Sequence, residues 1–131
     1  MKILWMVKRN MKHKYLRELF PDGDLPFPYG EKDYHDFDER DTFCMDNVLV
    51  AWIYEGLRYF QDGNTCIDLN YHKFNIDGEE LSQIQCIDRM IQDCVTILQG
   101  DPWKDEEFEK MDAAKDDLFK VFSKVYWAMW W

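Results

Sequence analysis

The residues best suited to chemistry in this chain are acids. Asp105, Glu109, Asp112 and Asp116 recur at i, i+4, i+7 and i+11, which places them along one side of a helix. In the same stretch Glu106 and Glu109 have an E-x-x-E spacing, and Glu109 with Asp112 an E-x-x-D spacing. Helical bundles that hydrolyse nucleotides hold magnesium with such pairs, but on facing helices, and these lie on one helix. On the preceding helix, Asp88 falls at the edge of the apolar face, where a half-buried carboxylate needs a partner. Arg40 is the candidate, and an Arg40–Asp88 salt bridge explains the position more simply than a metal does. No metal and no cofactor is expected.

Other chemistries find less support. Ser82 and Ser123 are the two serines, and neither stands in a G-x-S-x-G turn. Cys66 and His72 share one loop, a pairing that chance supplies readily. Cys44, Cys66, His72 and Cys86 lack the C-x₂₋₄-C spacing of a zinc site. The acids of residues 21–39 lack the D-x-D-x-D-G-x₅-E order of a calcium loop. No catalytic residue is assigned, and the residues favour a protein that is not an enzyme.

The acidic stripe has a different use. Continued along the helix it reaches Ser123, Trp127 and Trp130, and an acidic ridge ending in tryptophans has the make-up of a protein-binding or self-association surface. The competing arrangement folds these tryptophans back onto the basic first helix or the 21–39 loop. A formal charge of −10 and a pI near 4.6 argue against direct binding to nucleic-acid phosphates. They permit a basic partner, or confer solubility alone. Aromatic residues make up 17% of the 131 positions, including six tryptophans; some must anchor the core, and a surplus at the surface would mark an interface.

The elements that must position these residues are helices. Residues 40–60 carry the longest amphipathic pattern and read as the central helix, with Met45, Leu49, Trp52, Ile53, Gly56 and Phe60 on its apolar face. Asn47, Tyr54, Glu55, Arg58 and Gln61 fall on the polar face, and Gly63 is the stop. Residues 1–20 form a basic helix ended by Pro21, expected to pack on the protein's own acids rather than on a membrane. Residues 21–39 hold three prolines and two glycines among apolar residues, which predicts a long ordered loop. Residues 62–76 form a short hairpin or stay irregular. Asp77 is read as the N-cap of a helix to Gln99, with Glu80 completing a capping box. Its apolar face holds Leu81, Ile84, Ile87, Ile91, Cys94, Val95 and Leu98. Asp101-Pro102 opens the last helix, over 103–129, with a core stripe of Phe108, Met111, Leu118, Phe119, Phe122, Val125, Tyr126 and Met129. The apolar run of residues 1–7 is too short for a secretory signal or a membrane span. Cys44, Cys66, Cys86 and Cys94 are therefore expected as reduced thiols. The fold class is all-α: a compact bundle of three to four helices in one domain over 1–131, with residues 1–20 a basic helix, 21–39 the loop and 40–131 the core.

Some of these residues resemble a known pattern. Arg40-Asp41, Met45-Asp46, Ala51-Trp52-Ile53 and Leu57-Arg58-Tyr59-Phe60 are similar to a box in a family of small tailed-bacteriophage proteins. Asp88-Arg89-Met90-Ile91 resembles that family's D-x-M-I helix, and Leu118-Phe119, Phe122 and Trp130-Trp131 its aromatic ending. The resemblance spans about residues 37–131 and implies a phage-encoded helical protein in the cytoplasm of an infected host cell, with no chemistry attached. The expectation is an accessory protein that engages a host protein, as a host-takeover or anti-defence factor. Its enzyme rival is a nucleotide-binding or nucleotide-hydrolysing bundle using Asp88 and the Glu109/Asp112 ridge. A third reading is a minor virion or assembly component. Homo-oligomerisation through the tryptophan end is compatible with all three.

Overall fold

A computed structural model of the protein describes residues 13–23, 25–26, 44–63 and 68–129. Arg40, Cys66, Trp130, residues 1–12 of the expected basic helix and most of the expected 21–39 loop lie outside the described residues. The fold is mostly helical, as the periodicity predicts. Among the described residues four helices and one small hairpin follow in order: α1 (Lys14–Leu19), α2 (Met45–Gly63), β1 (Lys73–Ile76), β2 (Glu79–Ser82), α3 (Gln83–Gln99) and α4 (Asp105–Val125), with a 3₁₀ turn at Tyr126–Ala128.

The helix at the middle is α3, not the 40–60 stretch. It packs against α2 on one side and α4 on the other, while α1 rests on α2 and the hairpin on α4. Being covered twice, α3 buries Cys86, Ile87, Met90, Ile91 and Cys94, all at 8% exposure or less. Against them lie Val48, Ala51, Tyr54 and Leu57 from α2 and Leu118, Val121 and Val125 from α4. Each such fully buried aliphatic side chain contributes roughly 1.5–3 kcal/mol before entropy is charged.

The orientation of α2 corrects the sequence reading. Its buried residues are Val48, Val50, Ala51, Tyr54, Glu55, Leu57 and Phe60, while Met45, Leu49 and Gly56 are exposed and Trp52 and Ile53 half-buried. The side that looked polar faces inward because its polar groups find partners there. Glu55 takes backbone N–H groups of α1, and the Tyr54 hydroxyl accepts a bond of 2.9 Å from Arg58. A satisfied polar group can be buried at little cost; an unsatisfied one cannot.

The start of α3 is a second correction. Asp77-Gly78 is not a cap but the tip of a two-residue hairpin turn, with φ of 54° and 84°. These left-handed values match a type I′ turn, for which Asp-Gly is a favoured pair. Asn75 Oδ1 accepts from the Gly78 N–H at 2.9 Å, and the strands pair antiparallel with Phe74 opposite Leu81 and Ile76 opposite Glu79. The cap is Ser82. Its Oγ accepts from the Gln85 N–H at 3.2 Å, and Gln85 Oε1 accepts from the Ser82 N–H at 2.8 Å, a complete capping box five residues later than expected.

At the other end of α3, Gly100 closes the helix as predicted. A Cβ there would sit 2.6 Å or less from the Met111 side chain, so glycine lets the α3–α4 turn approach α4 closely. Asp101 shapes that turn by accepting from the Trp103 N–H at 3.0 Å, and α4 begins at Asp105 rather than at Trp103.

Candidate functional site

Helix α4 turns Ala114, Leu118, Val121 and Val125 into the core. One half-turn round, on the opposite side, stand Asp105, Glu109, Asp112 and Asp116, all exposed. The sequence-predicted ridge therefore exists as a surface feature. It is not purely acidic, because Lys115 Nζ lies 2.9 Å from Asp112 and 2.9 Å from Asp116. Phe108, Phe119 and Tyr126, expected in the core, instead run beside the acids at 52%, 42% and 53% exposure. The reason is width: α3 covers one side of α4, and the hairpin touches only part of the remainder. At the end of the row Trp127 is 86% exposed, its ring edge-on to Tyr126 at 5.0 Å, so it is not folded back into the core. Trp130 lies outside the described residues.

Asp88 does not behave as expected. It is exposed rather than half-buried, and it accepts a 2.7 Å bond from Gln61 Nε2 on α2. Its expected partner Arg40 is outside the described residues. Asp88 and the Glu109/Asp112 pair are not brought together: among the described residues no group of three or more His, Cys, Asp or Glu side chains is placed to hold a metal ion.

The charges that do converge are ones the periodicity did not single out. Arg89 on α3 forks onto Asp117 of α4, with Nε to Oδ2 at 2.9 Å and Nη2 to Oδ1 at 2.5 Å. The same Nη2 lies 3.4 Å from Asp77 at the hairpin tip. Lys120 Nζ completes the set, 2.7 Å from Asp77 and 3.5 Å from Asp117. The Arg89 guanidinium holds the Asp117 carboxyl far below the usual range, and the Lys120 hydrogen bond lowers that of Asp77. Half-buried Asp93, one turn after Arg89, faces Asp117. Burial first, and then the Asp117 carboxylate, pushes its carboxyl up to about 8. Arg89 and Asp93 are an i, i+4 pair, a faint signal, since most such pairs are solvated.

A second missed acid is Glu55, at 0% exposure. Helix α1 starts at a left-handed His13 with no side-chain cap. Glu55 supplies the cap from another helix: Oε1 accepts from the Tyr15 N–H at 3.3 Å and Oε2 from the Leu16 N–H at 2.9 Å. Those are the second and third amides of the helix, the ones a capping side chain ordinarily takes. Around it the Tyr15 hydroxyl donates to Asp62 at 2.5 Å, and the Arg58 guanidinium lies 4.5 Å from the centre of the Tyr15 ring. Burial raises the Glu55 carboxyl, opposed by the two backbone bonds.

The exposed side of α2 leaves an open, wholly apolar cavity of about 390 Å³ lined by Met45, Val48, Leu49 and Trp52. Cys86 and Cys94 are buried free thiols and Cys44 is a half-buried one; burial pushes the Cys94 thiol up to about 12. No helix among the described residues is long and apolar enough to cross a membrane. Comparison with protein-family models, curated proteins and solved structures gives no match to this chain.

Proposed function

We propose that the protein works by binding a partner protein through the outer face of α4. The observation that supports this is the pairing on that face of exposed Phe108, Phe119, Tyr126 and Trp127 with exposed Asp105, Glu109, Asp112 and Asp116. Aromatic side chains of this size carry much of the energy of protein interfaces, and flanking charges set approach and orientation. Acids favour a partner that presents basic side chains around an apolar patch. The resemblance to tailed-phage proteins makes a host protein the partner of choice, engaged in the host cytoplasm as a takeover or anti-defence step. Direct contact with nucleic acid is disfavoured by the charge of −10.

The test is affinity capture from host lysate with tagged wild type and with Trp127→Ala, at low and high salt. A single host protein should be retained at low salt, released as salt screens the acids, and lost with Trp127→Ala. Retention of the same protein by Trp127→Ala and by a variant with all four acids amidated would overturn the reading. Capture of the chain by itself would redirect it to self-association.

A further inference from the structure

The polar network between α3, α4 and the hairpin does not balance in charge. Among the described residues, the cations beside Asp77, Asp93 and Asp117 are Arg89 and Lys120, and the ion pairs these two make within the network go to Asp77 or Asp117. Both oxygens of Asp117 are occupied by the Arg89 fork. Asp93 Oδ2 is buried without a hydrogen-bond partner. An ionised carboxylate only accepts, so two of them in contact repel; with one proton, one donates to the other. That proton also brings the network to neutrality, two negative against two positive charges.

We propose that Asp93 and Asp117 share a single proton, and that its loss loosens the α3–α4 seam and the hairpin fastened across it. The proton resides on Asp93, because Arg89 claims Asp117 as the anion. The hairpin follows because its tip is held by the same cations: Asp77 bonds Lys120 and Arg89, which must redistribute once Asp93 is charged. The groups facing Asp93 are Asp117 and Lys120 from α4 and Arg89 and Cys94 from α3, with Asp77 beyond them. The Cys94 thiol titrates well above the window concerned.

The sign is set by a carboxyl whose folded value lies above its unfolded one. Between about pH 4 and about pH 8 the folded chain keeps a proton that the unfolded chain has released, so this group's contribution to stability declines as pH rises. Near pH 8 the folded protein itself lets the proton go.

The experiment is a carboxyl-carbon NMR titration of the full chain from pH 5 to 10, with amide exchange of residues 73–82 followed over the same range, on wild type and Asp93→Asn. Asparagine is isosteric and permanently able to donate to Asp117. The Asp93 carboxyl should titrate above pH 7, with hairpin protection falling roughly tenfold across that step beyond the intrinsic pH effect. Asp93→Asn should hold its protection flat. An Asp93 carboxyl titrating near 4, hairpin protection indifferent to its titration, or an Asp93→Asn variant that loses protection as wild type does would each overturn the proposal. Should the variant fail to fold, the wild-type titration decides alone.

Discussion

Glu55→Ala tests the tertiary cap directly. The carboxylate is fully buried and takes two backbone N–H groups, so its removal leaves two buried donors without acceptors. Each costs about 1–3 kcal/mol, or about 2–6 together. Against this, the variant is relieved of a desolvated charge, the same desolvation that raises the Glu55 carboxyl. A net loss of about 3 kcal/mol is expected, equivalent to roughly 10 °C in Tm for a chain of this size. Glu55→Gln keeps one acceptor and sheds the charge, so it should recover at least half of the loss. Amide exchange locates the effect: the Tyr15 and Leu16 amides should lose protection first, because they are the groups uncapped. Wild-type stability should also carry a slope that Glu55→Gln lacks. With a folded value above the unfolded one, the contribution of Glu55 is greatest in acid and falls as pH rises above the ordinary carboxylate range. A Glu55→Ala variant with unchanged Tm and unchanged protection at Tyr15 and Leu16 would refute the capping argument. Equal damage from Ala and Gln would show that charge, not acceptance, is what the site needs.

Other substitutions separate the remaining elements. Ser82→Ala removes one half of the capping box and should cost about 1 kcal/mol by urea unfolding, whereas Asp77→Ala should act on the hairpin and leave the helical signal of α3 unchanged. Arg89→Met takes away the cation that forks onto Asp117 and should destabilise by about 2 kcal/mol, less than a fully buried pair because the arginine side chain is 31% exposed. Trp127→Ala should leave Tm within about 2 °C, as surface changes of this kind shift stability by less than about 0.5 kcal/mol, while abolishing partner capture.

The helical periods of α3 and α4 are strong enough to be read from the chain. Ile87, Ile91 and Cys94 lie on the buried face, and Gly100 is the stop, because these features depend on residues a few positions apart. The acidic stripe of α4 was equally legible, since its geometry is internal to one helix. The misplaced start of α3 has a local cause. Residues 77–85 contain two start signals, Asp77 with Glu80 and Ser82 with Gln85, and local chemistry alone does not rank them. The positive φ at Asp77 and Gly78 and the pairing of Phe74 with Leu81 settle it in favour of Ser82.

The sequence by itself determined that this is a mostly helical chain, where its strongest helices run, and that one helix carries an acidic outer row. Only the tertiary structure decided which side of α2 faces inward and which acids are buried. Glu55 looks solvated until α1 brings two amides to it, and Asp93 looks like any surface aspartate until Asp117 arrives from 24 residues away. Amphipathic patterns record affinity for water, whereas burial of a polar side chain depends on partners from other elements, which no local spacing encodes.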